Sequence, residues 1–64
     1  MVSVLEKWQL KAIELETQIK KQYENKKFAK QLITGAKQET DFSYKTEKDV
    51  EWYVTYCKAL ETRI

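Results

Sequence analysis

Lysine and aromatic side chains are concentrated in residues 20–30, which read KKQYENKKFAK. Lysine ammonium groups bind phosphate oxygens and exposed aromatic rings stack on bases, so this composition suits a nucleic-acid surface. The solvated face of a helix has the same composition. It is the favoured interpretation, because the lysines surround the helix and do not form one stripe. The residues that would contact DNA or an acidic partner are Lys20, Lys21, Lys26, Lys27 and Lys30.

The sequence offers few groups for catalysis. It contains no histidine, one cysteine (Cys57) and one glycine, so it lacks a nucleophile–base pair, a phosphate-binding loop and a cluster of metal ligands. The carboxylates Glu14/Glu16 and Glu47/Asp49 fall on predicted helix surfaces, where neither burial nor a charged partner is expected to make them reactive. We therefore expect a protein that is not an enzyme and that uses no cofactor, metal ion or small-molecule substrate.

An amphipathic pattern predicts a helix near the start of the chain. Ser3 and Glu6 have the spacing of a capping box, which marks a helix N-terminus. Apolar residues then recur at steps of three and four, which places them on one helix face. They are Leu5, Trp8, Ala12, Leu15, Ile19 and Tyr23.

A second apolar stripe, rotated by about one residue, follows the lysine-rich segment. It comprises Phe28, Ala29, Leu32, Ile33 and Ala36. The helix therefore either breaks near Asn25 or continues and turns a different face to a different neighbour. Residues 24–27 contain no glycine or proline, so we favour a continuous or slightly kinked helix over residues 3–34 that ends at Gly35. Part of so long a helix is expected to protrude into a partner.

A further helix is predicted over residues 47–63, opened by a capping box of Thr46 and Asp49. Between the helices, Phe42 and Tyr44 alternate with polar residues, which is strand period. The expected fold class is α+β: two antiparallel helices with a short β-hairpin or loop over residues 36–45, whose turn falls near residues 39–41. An all-α helical hairpin is the alternative.

Several apolar and aromatic residues lie outside the two predicted core faces. The face of the last helix that is expected to pack carries Val50, Tyr53, Val54, Cys57, Leu60, Glu61 and Ile64. A two-helix protein buries one face of each helix, so residues on the other faces should be exposed in a monomer. Tryptophan and tyrosine are enriched at interface hot spots, and the residues predicted to form a protein interface are Leu10, Ile13, Trp52, Tyr56 and Ala59.

The chain is short, and its charge is unevenly distributed. Its 64 residues are expected to form one domain, whose core supplies only roughly 3–5 kcal/mol, so a second copy or a larger partner is expected to add stability. Eight lysines and four glutamates give residues 1–37 a balance of +4, and residues 38–64 balance to −2. No apolar run approaches the ~18 residues of a membrane span, and no signal peptide is recognisable. A cytoplasmic protein is expected.

The second half of the sequence resembles a known family. LITG at 32–35, FSYKT at 42–46 with Tyr44 at its centre, and EKDV at 47–50 are similar to segments of the small head–tail joining (gpW-like) proteins of tailed bacteriophages. The resemblance spans about residues 32–61. It is carried by Leu32, Thr34, Gly35, Phe42, Thr46, Asp49, Val50, Tyr53, Val54, Leu60 and Glu61.

The resemblance implies two antiparallel helices joined by a hairpin, in a virion protein that forms a ring between portal and tail around a DNA channel. The sequence departs from the family pattern because its hairpin segment lacks a glycine turn and its first helix is longer. The leading hypothesis is thus an oligomeric subunit of a phage head–tail connector. The alternative is a small mobile-element regulatory or inhibitory protein that binds a host protein or DNA through its lysine-rich helix.

Overall fold

The fold consists of three helices. In a computed structural model that describes residues 3–43 and 47–64, α1 spans Val4–Gln22, α2 spans Lys26–Ser43 and α3 spans Val50–Glu61. No strand occurs within these two ranges. The prediction of an α+β fold with a β-hairpin is therefore wrong. The all-α alternative has the correct class, but the chain forms three helices and not a two-helix hairpin.

The first helix begins where the sequence predicts. Ser3 is its N-cap, and the backbone N–H of Glu6 donates to Ser3 Oγ at 3.1 Å, which satisfies one of the four N–H groups that a helix start leaves unpaired. Three residues of the predicted stripe are buried, namely Ala12, Leu15 and Ile19. This part of the prediction is confirmed.

The first helix does not continue to residue 34. It ends at Gln22, its C-cap Tyr23 has an extended backbone, and α2 starts after Asn25. The Asn25 side chain caps the new helix by accepting from the backbone N–H groups of Lys27 at 3.0 Å and Phe28 at 3.3 Å. A continuous helix would have carried Lys26 and Lys30 along the first apolar stripe. The break lets each stripe face the core by itself.

The second helix continues through the segment predicted as a hairpin. Its buried residues are Ala29, Ile33, Ala36 and Thr40, which follow steps of four, three and four and so keep the helical period past Gly35. Gly35 lies inside the helix and its φ is not positive, so it does not act as a C-terminal stop. Thr40 is buried and donates to Ala36 O at 2.8 Å. Phe42 is 96% exposed. The alternation of apolar and polar residues that predicted a strand therefore does not mark a buried face at Phe42.

The third helix begins later than predicted. Asp49 is its N-cap and accepts from the backbone N–H of Trp52 at 2.9 Å, which fits the helix-start preference for aspartate. The predicted roles of Tyr44 and Thr46, in the hairpin and the capping box, fall outside the residues that the structure describes. The helix ends at Glu61 and not at residue 63.

The third helix packs against both α1 and α2, and this arrangement forms the core. The Cα atoms extend over 34 × 29 × 15 Å, so the molecule is flat and its core is thin. The buried apolar residues are Ala12, Leu15, Ile19, Ala29, Ile33, Ala36, Trp52, Tyr56, Cys57, Ala59 and Leu60. Because α3 has two neighbours, it buries a wider face than a two-helix protein requires.

Candidate functional site

The predicted sites fall at two places where lysines and aromatic rings lie close together. The first is the aromatic cluster of Trp52, Tyr53 and Tyr56 on α3. The second is the lysine corner, formed by Lys20, Lys21, Lys26, Lys27 and Lys30 where α1 meets α2. The sequence suggests a protein interface at the first and a phosphate contact at the second. Burial, partners and charge differ between them.

The aromatic cluster belongs to the core. Trp52 and Tyr56 are each 1% exposed and Ala59 is 8% exposed, so the expectation that these three residues are exposed is wrong. The physical reason is the third helix: the face of α3 left free in a two-helix protein is covered here by a second neighbour. Leu10 and Ile13 are exposed as expected, at 55% and 57%.

The polar atoms of the two buried rings have partners. Trp52 Nε1 donates to Asp41 Oδ1 at 2.7 Å, and the Tyr56 hydroxyl donates to Glu16 Oε1 at 2.5 Å. These bonds tie α3 to α2 and to α1, and they satisfy groups that would be costly to bury unpaired. Burial first, and then the bond to the Glu16 carboxylate, strongly raises the pKa of Tyr56. The Tyr56 hydroxyl therefore stays protonated at neutral pH, and the side chain stabilises the fold.

A groove lies beside the aromatic cluster. It has a volume of about 250 Å³ and is lined by residues of all three helices and by Lys48, which precedes α3. Lys48 Nζ lies 5.4 Å from the ring centroid of Trp52, and Lys37 Nζ lies 5.9 Å from that of Tyr56, within range for cation–π attraction. Exposed Ile13 also lines this groove.

The sequence did not identify Glu16 and Asp41 as partners of the aromatic cluster. Glu16 is 40 residues from Tyr56 and Asp41 is 11 residues from Trp52. Their roles depend on how the helices pack, so no local pattern signals them. The one available signal is indirect, because a buried Trp or Tyr usually finds a hydrogen-bond partner.

Cys57 is a core residue. It is 1% exposed, and its Sγ lies 3.9 Å from the backbone O of Trp8. Burial raises the pKa of its thiol, which is opposite to the shift that activates a cysteine nucleophile. Within residues 3–43 and 47–64, no group of three or more histidine, cysteine, aspartate or glutamate residues could hold a metal ion.

The lysine corner is exposed on both sides of the turn. All five of its lysines are exposed, and Lys20, Lys26 and Lys30 together line a hollow of about 250 Å³. The ion pairs in the described part of the chain, Lys11–Glu61 and Arg63–Glu39, involve none of these lysines.

The two aromatic residues of the same segment have different positions. Tyr23 is half-buried and donates its hydroxyl hydrogen to Arg63 O at 3.1 Å. Phe28 is 44% exposed and meets the Tyr23 ring edge to face, with 5.1 Å between centroids. Phe28 is two residues from both Lys26 and Lys30, which is about 200° around the helix. It lies on the other flank of α2 from the hollow.

The structure separates the residues that carry the family resemblance. Leu32 and Gly35 are partly buried in the middle of α2, Thr34 is exposed there, and Phe42 is exposed near its end. Asp49 caps α3. These residues form helices and a cap, and no hairpin brings them together within the described residues.

Comparison with known proteins leaves the family open. No protein-family model, curated protein or solved structure matches the chain. Within the described residues, no helix combines the length and the apolar character that crossing a bilayer requires.

Proposed function

We propose that the chain is a non-catalytic assembly protein that associates with a second copy of itself through the outer face of α1. One observation carries this proposal: Leu10 and Ile13 are more than half exposed, and Leu10 lies on the side of α1 opposite the buried Ala12, Leu15 and Ile19. Exposed apolar side chains at adjacent turns of one helix are suited to helix–helix contact.

The charges around Leu10 favour a copy of the same chain as the occupant of this face. Lys7, Leu10, Lys11 and Glu14 line one shallow hollow on α1. In an antiparallel pair of α1 helices that cross near Leu10, Lys7 of each copy lies opposite Glu14 of the other. Two-fold pairing of this kind makes a surface complementary to itself.

The buried titratable groups support a non-catalytic role. The pKa values of Tyr56 and of Cys57 are both raised, chiefly by burial, so each group is held in its neutral form. Both side chains lie in the core, and neither is available to a substrate.

The proposed setting is the head–tail connector of a phage, where such subunits form a ring with portal and tail proteins as neighbours. What supports this setting is the residue pattern of 32–61; the hairpin that the family shares no longer supports it. Mass spectrometry of purified virions tests the setting, because a connector subunit must be present in the particle. Its absence from intact virions would exclude this setting and leave the α1 contact to its own test.

Analytical ultracentrifugation tests the association directly. We expect the wild type to sediment above its 7.7 kDa monomer mass, and Leu10→Gln/Ile13→Gln to sediment as a monomer with unchanged helical circular dichroism. Val4→Gln is the matched control, because Val4 is 62% exposed on the same helix but outside the proposed contact. A wild type that stays monomeric at high protein concentration would contradict the proposal.

A further inference from the structure

We propose that the lysine corner binds the phosphate backbone of nucleic acid without recognising its sequence. This inference is independent of the α1 face. Residues 20–30 contain five lysines and Glu24, a balance of +4 in a chain whose net charge is +2, so the rest of the chain balances to −2. The net positive charge of the protein is therefore concentrated where α1 meets α2.

The corner lysines are free to meet an external anion. Their side chains are exposed, and the ion pairs in the described ranges use other cations. Lys20, at the end of α1, and Lys26 and Lys30, at the start of α2, converge on one hollow of about 250 Å³. Lysines from two helices thus border the same volume and place three positive charges around it, which is an arrangement suited to consecutive phosphates.

The arrangement opposes the stability of α2. A helix N-terminus carries a partial positive charge, so acidic residues stabilise the first turn and basic residues destabilise it. The first turn of α2 contains no acidic residue and begins with Lys26 and Lys27. Lys26 and Lys30 are also like charges at i and i+4, which repel each other. An anion bound in the hollow relieves both effects, so a polyanion should stabilise the folded protein.

The chemistry of the corner fits phosphates better than an acidic protein surface. Lysine is depleted in protein interfaces, which depend on buried aromatic or arginine anchors, and the hollow is lined by lysines alone. Exposed Phe28 lies on the other flank of α2. The Asn25 side-chain oxygen is occupied in capping α2. Neither Phe28 nor Asn25 is therefore positioned to read base edges.

Fluorescence anisotropy with a labelled duplex DNA of mixed sequence tests the proposal. We expect binding that weakens as salt rises, with a slope of log affinity against log salt of about −2.7 if three phosphates are neutralised. In Lys20→Gln/Lys26→Gln/Lys30→Gln, the magnitude of that slope should fall by about 0.9 for each phosphate that is no longer neutralised. A second duplex of unrelated sequence should bind equally well.

The matched control is Lys37→Gln/Lys48→Gln/Lys58→Gln, which removes the same charge elsewhere on the surface. It should retain most of the salt slope. Equal losses of salt slope in the two triple variants would show an effect of net charge alone. This result would overturn the proposal that the lysine corner is the binding site. Undetectable binding of the wild type at low salt overturns the proposal. So does a preference of the corner for polyglutamate over DNA, which would indicate an acidic protein partner.

Discussion

The aromatic cluster and the lysine corner combine the same residue types with opposite outcomes. In the aromatic cluster the rings of Trp52 and Tyr56 are buried, their polar atoms have fixed partners, and lysines lie over them from the edge of a groove. At the lysine corner the lysines are exposed, and one of the two rings is exposed as well. The first arrangement stabilises the fold. In the second, Lys20 and Lys21 suit the C-terminal end of α1, whereas Lys26 and Lys27 oppose the N-terminal end of α2.

Residue type alone therefore does not locate a working surface. Trp52 and Tyr56 have the composition of an interface hot spot, yet they bind other parts of their own chain. Lys26 and Lys27 have the composition of ordinary solvated surface, yet they stand in the first turn of α2, where the helix dipole disfavours cations. Where a position is unfavourable for the fold, a function outside the fold is the better explanation.

Truncation of the aromatic cluster should have the largest effect on stability. Trp52→Ala removes a fully buried ring and leaves Asp41 without its donor, so we expect a loss of about 3–5 kcal/mol in the free energy of unfolding, measured with urea. Phe42→Ala is the control, because Phe42 is 96% exposed, and it should change stability by less than about 0.5 kcal/mol. Similar effects for the two variants would place Trp52 outside the core.

The raised pKa of Tyr56 predicts loss of stability at alkaline pH. The folded state holds the phenol protonated, whereas an unfolded tyrosine ionises at about pH 10. The contribution of the Tyr56 phenol to the free energy of unfolding is therefore fully present below about pH 10. It is lost as pH rises further, at about 1.4 kcal/mol per pH unit. Urea unfolding between about pH 9 and pH 11.5 measures the slope. Tyr56→Phe should have the shallower slope, and equal slopes would contradict a buried phenol.

A substitution at Gly35 tests whether α2 runs unbroken from the lysine corner to the aromatic cluster. An added Cβ would lie 3.8 Å from Arg63 Nη2, which is ordinary contact distance. Gly35→Ala should thus raise the free energy of unfolding by about 0.8–1 kcal/mol, the difference in helix propensity. Thermal unfolding followed by circular dichroism measures the change. A glycine that ended a helix in the left-handed conformation would give the opposite sign.

Local patterns predicted the parts of the fold that depend on neighbouring residues. The Ser3 cap and the stripe through Ala12, Leu15 and Ile19 are confirmed, because capping and helical period act within one or two turns. The break at Asn25 is the less favoured alternative in the sequence, although the rotated stripe indicates it. The sequence lacks a glycine or proline there, and an asparagine side chain caps the new helix without either.

The parts of the fold that the sequence did not predict depend on packing between helices. Ala36 and Thr40 continue the buried face of α2, but Gly35 and the short alternation near Phe42 gave a competing strand signal. Once α2 extends to Ser43, α3 folds back against two helices and buries Trp52, Tyr56 and Ala59. For that reason these three residues leave the candidate protein interface, which keeps Leu10 and Ile13. The lysine corner could be located from the sequence, but its hollow and its position at the start of a helix could not.

The free energy of unfolding of Lys26→Glu most directly tests the claim that the lysines at the start of α2 are kept for binding at a cost to the fold. This change places an acid in the first turn of α2 and removes its repulsion with Lys30, so we predict a gain of about 0.3–1 kcal/mol in urea unfolding. Lys58→Glu, in the last turn of α3, is the control and should lose a similar amount. A clear loss of stability in Lys26→Glu would show that the lysine serves the fold and would contradict the account.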